Sequence, residues 1–86
     1  MDTAKAFGKA LRDRRKACGL TQETLGFEAG LRRTYISSLE LGEKQPTLTT
    51  IFKLAVALNI PASDLIKQVE SALNSETQTP VVVRQE

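Results

Sequence analysis

Apolar side chains recur along this chain at intervals of three and four residues, in five separate segments. Side chains at that spacing share one face of an α-helix. Glycine, asparagine or proline stands between most of the segments, and these residues commonly end or begin helices. The pattern predicts helices over residues 4–18, 22–29, 33–41, 48–58 and 61–73, and therefore an all-α domain spanning residues 1–73.

The predicted core draws one apolar stripe from each helix, and the fourth helix has the densest. Two residues allow an alternative: Phe27 is predicted to be core rather than partner-facing, and Cys18 to be a small buried hydrophobe rather than a redox switch. From the first four helices, the expected core residues are Phe7, Leu11, Leu25, Ile36, Leu39, Leu48, Ile51, Leu54 and Leu58.

The composition changes at Asn74. Residues 74–80 contain no apolar side chain, which is typical of a flexible linker. The following run, Val81 to Val83, favours β-structure but has no hairpin partner in the sequence. Residues 74–86 are therefore predicted to form a flexible polar tail, with a strand added across a dimer as the alternative.

Two short helical patterns between Thr21 and Gly42 flank a single glycine, Gly30. The Thr21 hydroxyl can accept an unpaired amide of the first turn, and Gly30 permits the positive φ that ends one helix and redirects the chain. The second helix places basic and hydroxyl side chains opposite its apolar residues. Two helices joined in this way are typical of a helix-turn-helix.

Four collinear motifs carry a wider resemblance: G-L-T-Q-E-x-L from Gly19, A-G-L from Ala29, Y-I-S-x-L-E-x-G from Tyr35, and P-T-L-x-T-I-x-K-L-A-x-A-L from Pro46. Together they resemble the lambda-repressor-like (Cro/CI, or XRE) family of bacterial and phage DNA-binding domains, over residues 4–70. The resemblance implies a compact five-helix domain whose third helix enters the DNA major groove. It implies a transcriptional regulator of double-stranded DNA, either a repressor or a restriction-modification controller.

By the same resemblance, Arg33, Thr34 and Ser38 match the base-reading positions of the family, with Arg32 and Ser37 as neighbours. Arginine suits guanine because its fork matches the two acceptors on that base edge. The predicted phosphate-binding residues lie around the same helices, because free helix amides, hydroxyls and charges can hold phosphate oxygens. They are Thr21, Gln22, Tyr35, Lys44 and Gln45.

The resemblance also implies an ion pair between Arg15 and Glu40, which would tie helix 1 to the end of helix 3. Its role would be to fix the pose of the reading helix, since buried pairs are weak evidence of net stability. Two positions depart from the family pattern. Arg14 stands where an apolar residue is usual and is expected to weaken helix 1 packing, and Gly26 replaces alanine to allow close approach to helix 3.

A homodimer on a palindromic operator is expected, because one helix-turn-helix reads only a few base pairs. Helix 5 carries more apolar side chains than one small core requires. Leu65 is predicted to face inward, and the predicted dimer interface consists of Ile66, Val69 and Leu73. The alternative is that all of them pack within one chain.

Charge and composition narrow the function further. Net charge is +2, but residues 1–45 carry nine Lys/Arg against six Asp/Glu, while residues 46–86 carry three against four. The basic N-terminal half favours an anionic partner, although a solvated basic face would look the same. The chain has one cysteine and no histidine, so neither a metal site nor a cofactor is predicted.

An enzyme is the first competing class, and the residues argue against it. General acid–base catalysis most often uses histidine, which the chain lacks, and the glycines form no phosphate-cradling motif. A protein-interaction module, such as an antitoxin or anti-activator, is the second; its helix 3 surface should be apolar, whereas this one is basic and hydroxyl-rich. With no signal peptide and no run of 18 apolar residues, the protein is predicted to be cytoplasmic.

Overall fold

The computed structural model describes residues 1–77, which form five α-helices with no strand among them. Side-chain oxygens of Asp2, Thr21 and Thr47 begin three of the helices by accepting the backbone amide three residues on. The bounds confirm the predicted starts and ends to within one residue, except at the end of the last helix. The helices are α1 Thr3–Ala17, α2 Gln22–Ala29, α3 Arg33–Glu40, α4 Leu48–Ala57 and α5 Ala62–Thr77.

Helix α5 is longer than its apolar pattern predicts, because it continues through residues 74–77 to Thr77. The polarity of those residues predicts a flexible tail instead. Adding a residue to an existing helix costs far less than starting one, so polar residues can extend α5 beyond its apolar pattern. The predictions for residues 78–86, including a strand at Val81 to Val83, lie outside the described residues.

One continuous core joins all five helices. Helix α1 packs against α3 and α5, and α4 packs against α2 and α5, so α1 and α4 hold the helix-turn-helix between them. The buried apolar residues in this core are Ala6, Phe7, Ala10, Leu11, Leu25, Ala29, Ile36, Leu39, Leu54, Leu58, Leu65 and Val69.

Four residues predicted from apolar spacing lie elsewhere. Leu48 and Phe27 are 70% and 87% exposed, so neither is core. Cys18 is exposed because it caps the end of α1, beyond the last buried turn. Val69 is the reverse case: it was assigned to the dimer interface, but it is only 6% exposed and packs in the core of its own chain.

Arg14 has a role that the family pattern did not predict. Its guanidinium donates from Nε and Nη2 to the carbonyl oxygen of Leu58, at 3.2 and 3.0 Å, and from Nη2 to that of Asn59, at 3.1 Å. These carbonyls lie at the end of α4, where acceptors lack helical partners. Asn59, which follows α4, has a φ of 53°, the left-handed conformation that asparagine tolerates at a helix end. The side chain expected to weaken packing therefore ties α1 to the turn between α4 and α5.

Two glycines let the backbone of α3 approach its neighbours closely. A Cβ on Gly26 would lie 2.6 Å from the carbonyl oxygen of Leu31, in the turn before α3, which agrees with the close approach predicted there. A Cβ on Gly8 would lie 2.5 Å from the carbonyl oxygen of Leu39 and 2.6 Å from that of Glu40. The end of α3 therefore packs directly against the backbone of α1. The absence of a Cβ at these two glycines determines how closely the backbone of α3 and its preceding turn can approach α1 and α2.

Candidate nucleic-acid interface

The outward side of α3 is polar and positively charged. Arg32 is the N-cap residue but makes no side-chain cap hydrogen bond, and Arg32, Arg33 and Thr34 are exposed. Ser37 and Ser38 are half-buried one turn further along. The structure therefore brings the five predicted base-reading residues together on one helix, with both guanidinium groups near its N-terminus.

The hydroxyl group of Ser38 already makes one hydrogen bond within α3. Its Oγ donates to the carbonyl oxygen of Thr34 at 3.1 Å. A serine hydroxyl has one proton and two lone pairs, so this bond uses the donor and leaves acceptor capacity facing outward. In this rotamer Ser38 would accept from an amino group on a base edge, such as the N6 of adenine or the N4 of cytosine.

The first turn of α2 is anchored from both sides. The Thr21 hydroxyl accepts from the amide of Thr24 at 3.0 Å and donates to its hydroxyl at 2.9 Å. The Gln22 side chain donates from Nε2 to Oε1 of Glu40 at 3.1 Å. The Thr21 hydroxyl is thus satisfied inside the helix, which leaves first-turn amides and the second amide proton of Gln22 as the donors suited to a phosphate.

The predicted ion pair is present, and it is largely buried. Arg15 donates to Glu40 through two bonds, Nε to Oε2 at 2.6 Å and Nη2 to Oε1 at 3.0 Å. The two side chains are only 11% and 4% exposed. Arg15 also donates from Nη1 to the carbonyl oxygen of Leu20 at 2.8 Å. Glu40 therefore joins α1, the start of α2 and the end of α3 at one carboxylate.

Hydrogen bonding to Glu40 raises the pKa of Arg15 above its ordinary value, against the opposing effect of burial. A raised pKa means that the pair's contribution to stability is present below the unfolded-state pKa and is lost only as pH rises through the folded one. For arginine that window lies far above neutral pH. Loss of the Arg15 proton therefore does not weaken the pair anywhere near neutral pH.

The loop after α3 adds a further positive charge to those of Arg32 and Arg33. Lys44 is exposed, and its Nζ lies 6.0 Å from the ring centroid of Tyr35, at the outer limit of a cation–π contact. Tyr35 is half-buried against the core, which restricts its ring, and Gln45 is exposed beside Lys44. These positions keep all three residues available at the edge of the α3 surface.

Arg12 is a further candidate for phosphate binding, which its sequence pattern alone does not indicate. It is exposed on α1 and lines an open groove of about 270 Å³ together with Gln22, Ser37 and Leu41. A backbone phosphate beside α3 would meet its charge there. The signal was present as the basic cluster of residues 12–16, but a cluster in sequence does not show which of its members faces the groove.

Other kinds of site find no support within residues 1–77. No group of three or more His, Cys, Asp or Glu side chains could hold a metal ion in that range. No single helix in it is long and apolar enough to cross a membrane; α4 and α5 reach that length and apolarity only together, and a bend of 105° separates them.

The geometry agrees with the comparison to known families. The profile of the helix-turn-helix family matches residues 11–65, and the chain belongs to that family. The match begins within α1 and ends within α5, so it includes the buried pair, both helices of the motif and the whole of α4.

Individual relatives show which kinds of helix-turn-helix protein this chain is similar to. The chain is 38% identical over 66 residues to the HTH-type transcriptional regulator y4dJ of Sinorhizobium fredii, covering 77% of this chain and 86% of the relative. It is 39% identical over 61 residues to the control protein C.BamHI of Bacillus amyloliquefaciens, covering 70% and 75%. The crystal structure of the restriction-modification controller C.AhdI from Aeromonas hydrophila superposes with a TM-score of 0.71 at 45% identity, over 72% of this chain and 94% of that one.

Proposed function

We propose that this protein is a sequence-specific regulator of transcription that binds double-stranded DNA and inserts α3 into the major groove. The observation that supports this most directly is the outward face of α3, where two exposed arginines and three hydroxyl side chains share one short helix. Base edges in the major groove present donors and acceptors that such side chains can pair. An interaction module would need an apolar face there.

Recognition divides between two groups of residues. Arg32, Arg33, Thr34, Ser37 and Ser38 form the base-reading group, with the guanidinium groups directed at guanine. The amides that begin α2, with Gln22, Lys44 and Arg12, hold phosphates and set the register of the domain on the duplex. The buried Arg15–Glu40 pair joins the two groups, because Glu40 bonds Gln22 directly and sits at the end of the reading helix.

Among regulators, we propose a repressor or a restriction-modification controller, since proteins with those names are among its relatives. The working unit is a homodimer on a palindromic operator, because a single reading helix contacts too few base pairs to specify a site. The protein acts in the cytoplasm, without a cofactor and without catalytic activity.

Selection of bound sequences from a random pool of duplex DNA would test this proposal. We expect an inverted repeat whose half-site centres lie about ten base pairs, or 34 Å, apart. Arg33→Ala should lose preference at one symmetric pair of positions, whereas Lys67→Ala, on the exposed side of α5, should select the same repeat as the wild type. A pool without any enriched repeat would refute sequence-specific binding.

A further inference from the structure

Leu41 places an apolar side chain at the end of the reading helix. It is the C-cap residue of α3, and its φ of −81° and ψ of −7° keep it in the right-handed helical region. Its side chain is 63% exposed, and within residues 33–41 it is the only large apolar side chain that is mainly exposed. A single exposed leucine is common on a protein surface, so its position within that surface decides whether it has a role.

Leu41 lies at the centre of the proposed base-reading face. Successive residues of an α-helix are rotated by about 100°, so Leu41 lies about 20° from Thr34 and about 40° from Ser37 around the axis of α3. Arg33 and Ser38 lie on either side of these three residues. Along the axis, Leu41 lies about 6 Å beyond Ser37. It therefore continues the base-reading face by one further turn, towards the C-terminal end of the helix.

Leu41 also shares a groove with residues that the proposed function assigns to phosphates. The open groove of about 270 Å³ beside α3 is lined by Leu41 and Ser37 on one side and by Arg12 and Gln22 on the other. Arg12 is exposed, and the Gln22 side-chain amide is held by Glu40 at 3.1 Å. A DNA strand whose phosphate is bound by Arg12 or Gln22 passes beside Leu41, because all three side chains border the same space.

The chemistry of leucine leaves one kind of partner on that strand. A leucine side chain has no hydrogen-bond donor or acceptor, so it can pair with neither a phosphate oxygen nor the polar groups of a base edge. The apolar group that base edges present in the major groove is the C5-methyl of thymine. Contact between this methyl and the leucine side chain removes both from water, which favours thymine over the other three bases at that position.

We propose that Leu41 contacts the methyl group of one thymine in each half-site and is a specificity-determining residue of the DNA interface. The inference deepens the proposed function and rests on it, because Leu41 meets a base only if α3 enters the major groove. Arg33, Thr34 and Ser38 offer hydrogen bonds to base edges. Leu41 adds the recognition of a group that neither donates nor accepts one.

Replacing thymine by uracil in the selected operator tests the contact, because uracil lacks only the methyl and pairs with adenine in the same way. Each thymine is replaced in turn, in both half-sites together. At one symmetric position the wild-type protein should bind the uracil operator about fifteenfold more weakly, since one buried methyl is worth about fourfold in affinity in each half-site. Leu41→Ala should bind the thymine and uracil operators within about twofold of each other there, because its side chain is too short to reach the methyl.

Leu48→Ala is the matched control, because it makes the same change at a leucine of similar exposure, 70%, on α4. It should lose as much affinity on uracil replacement as the wild type does. Since both leucines are mainly exposed, circular dichroism should show the wild-type helical fold for both variants.

Two further variants separate apolar contact from side-chain size. Leu41→Met keeps an apolar side chain of similar reach and should retain most of the preference for thymine over uracil. Leu41→Asn has a polar side chain and should lose that preference, as Leu41→Ala does. A preference that Leu41→Asn retains in full would show that the methyl does not contact this side chain.

Two results on the alanine variant and the wild type would also overturn the assignment. One is that no single uracil replacement weakens binding of the wild-type protein. The other is that Leu41→Ala weakens binding to thymine and uracil operators by the same factor at every position, because Leu41 then contacts the sugar-phosphate backbone or nothing at all.

Failure of this inference can be told apart from failure of the proposed function. If the random pool yields no enriched repeat, both fail together, because α3 then selects no sequence. If a repeat is enriched and Arg33→Ala relaxes it, sequence-specific binding stands. An effect of uracil that is the same with and without the Leu41 side chain would then refute the assignment of Leu41 alone.

Discussion

Helices α3 and α4 both turn one side to solvent, and the two sides have opposite chemistry. The outward face of α3 is basic and hydroxyl-bearing, whereas that of α4 carries three exposed apolar side chains, Leu48, Phe52 and Val56, beside exposed Thr49 and Lys53. The α3 face can pair with donors and acceptors on base edges, and the α4 face can only gain by leaving water. The same small domain therefore presents one polar, basic surface and one surface with aligned apolar side chains.

The difference shows that exposure is informative only when it is unexpected. Polar side chains are common on the solvent side of any soluble helix. Those on α3 indicate a function only because α3 is the second helix of the helix-turn-helix motif. Large apolar side chains at 54–81% exposure on α4 are notable because three of them align on one helix. The α3 face is thus defined by its place in the fold, and the α4 face by its exposure.

The largest effect should come from the buried carboxylate that supports α3. Glu40→Ala should lower the free energy of unfolding by about 3–5 kcal/mol, because it leaves the Arg15 charge buried without a partner. Chemical denaturation at fixed protein concentration would measure it. The comparison pair is Lys9–Asp13, with an equally short 2.7 Å contact but side chains 56% and 59% exposed. Asp13→Ala should cost no more than about 0.5 kcal/mol.

If Glu40→Ala costs less than about 1 kcal/mol, the Arg15–Glu40 pair is dispensable. Replacing both partners by apolar residues, as Arg15→Met with Glu40→Leu, should recover much of the loss, because no charge is then stranded.

The second effect concerns the backbone contact beneath α3. Gly8→Ala should lower the free energy of unfolding by about 1–3 kcal/mol, because the new methyl meets two carbonyl groups at the end of α3 that cannot rotate away. Intrinsic helix propensity alone predicts the opposite sign, a gain of about 1 kcal/mol. A stabilised Gly8→Ala variant would therefore show that α3 can move off α1 at little cost.

The third effect separates the two faces directly. Arg33→Ala should weaken specific binding by about 1–3 kcal/mol and relax one operator position in each half-site, because it removes one base-directed guanidinium. Circular dichroism should show the same helical fold as the wild type, since Arg33 is exposed on α3. Competition binding against single-base operator variants provides the measurement. Full retention of sequence discrimination would remove Arg33 from the base-reading group.

Much of the fold followed from local rules. Apolar spacing and helix stops such as Gly30 and Asn59 predicted the helix bounds. Both signals depend only on residues that are close in sequence. The Arg15–Glu40 pair came from resemblance, and the buried contact bears it out. The bonds from Arg14 to the end of α4 join residues 44 and 45 positions apart, and no local pattern indicates such a contact.

What the sequence could not predict depends on how helices face one another. Leu48 and Leu54 have the same residue type on the same helix, yet one is 70% exposed and the other is fully buried. The spacing of apolar residues predicts that Val69 faces outward, and this prediction is wrong because α1 covers that side of α5. Spacing within α5 cannot show which of its sides α1 covers. The close contact at Gly8 and the bond from Gln22 to Glu40 likewise exist only once three helices have packed.

The smallest effect should come from the charge at the edge of the α3 face. Lys44→Ala should weaken specific and non-specific binding alike and reduce the slope of log affinity against log salt by about one unit, because one phosphate contact and its released counterion are lost. The control is Lys53→Ala, which removes the same charge from α4, and its salt slope should match the wild type. Titrations at several salt concentrations on operator and random DNA would measure both. If Lys44→Ala instead altered preference at a single base position, Lys44 would be a base-reading residue and the boundary between the two groups of DNA contacts would have to move.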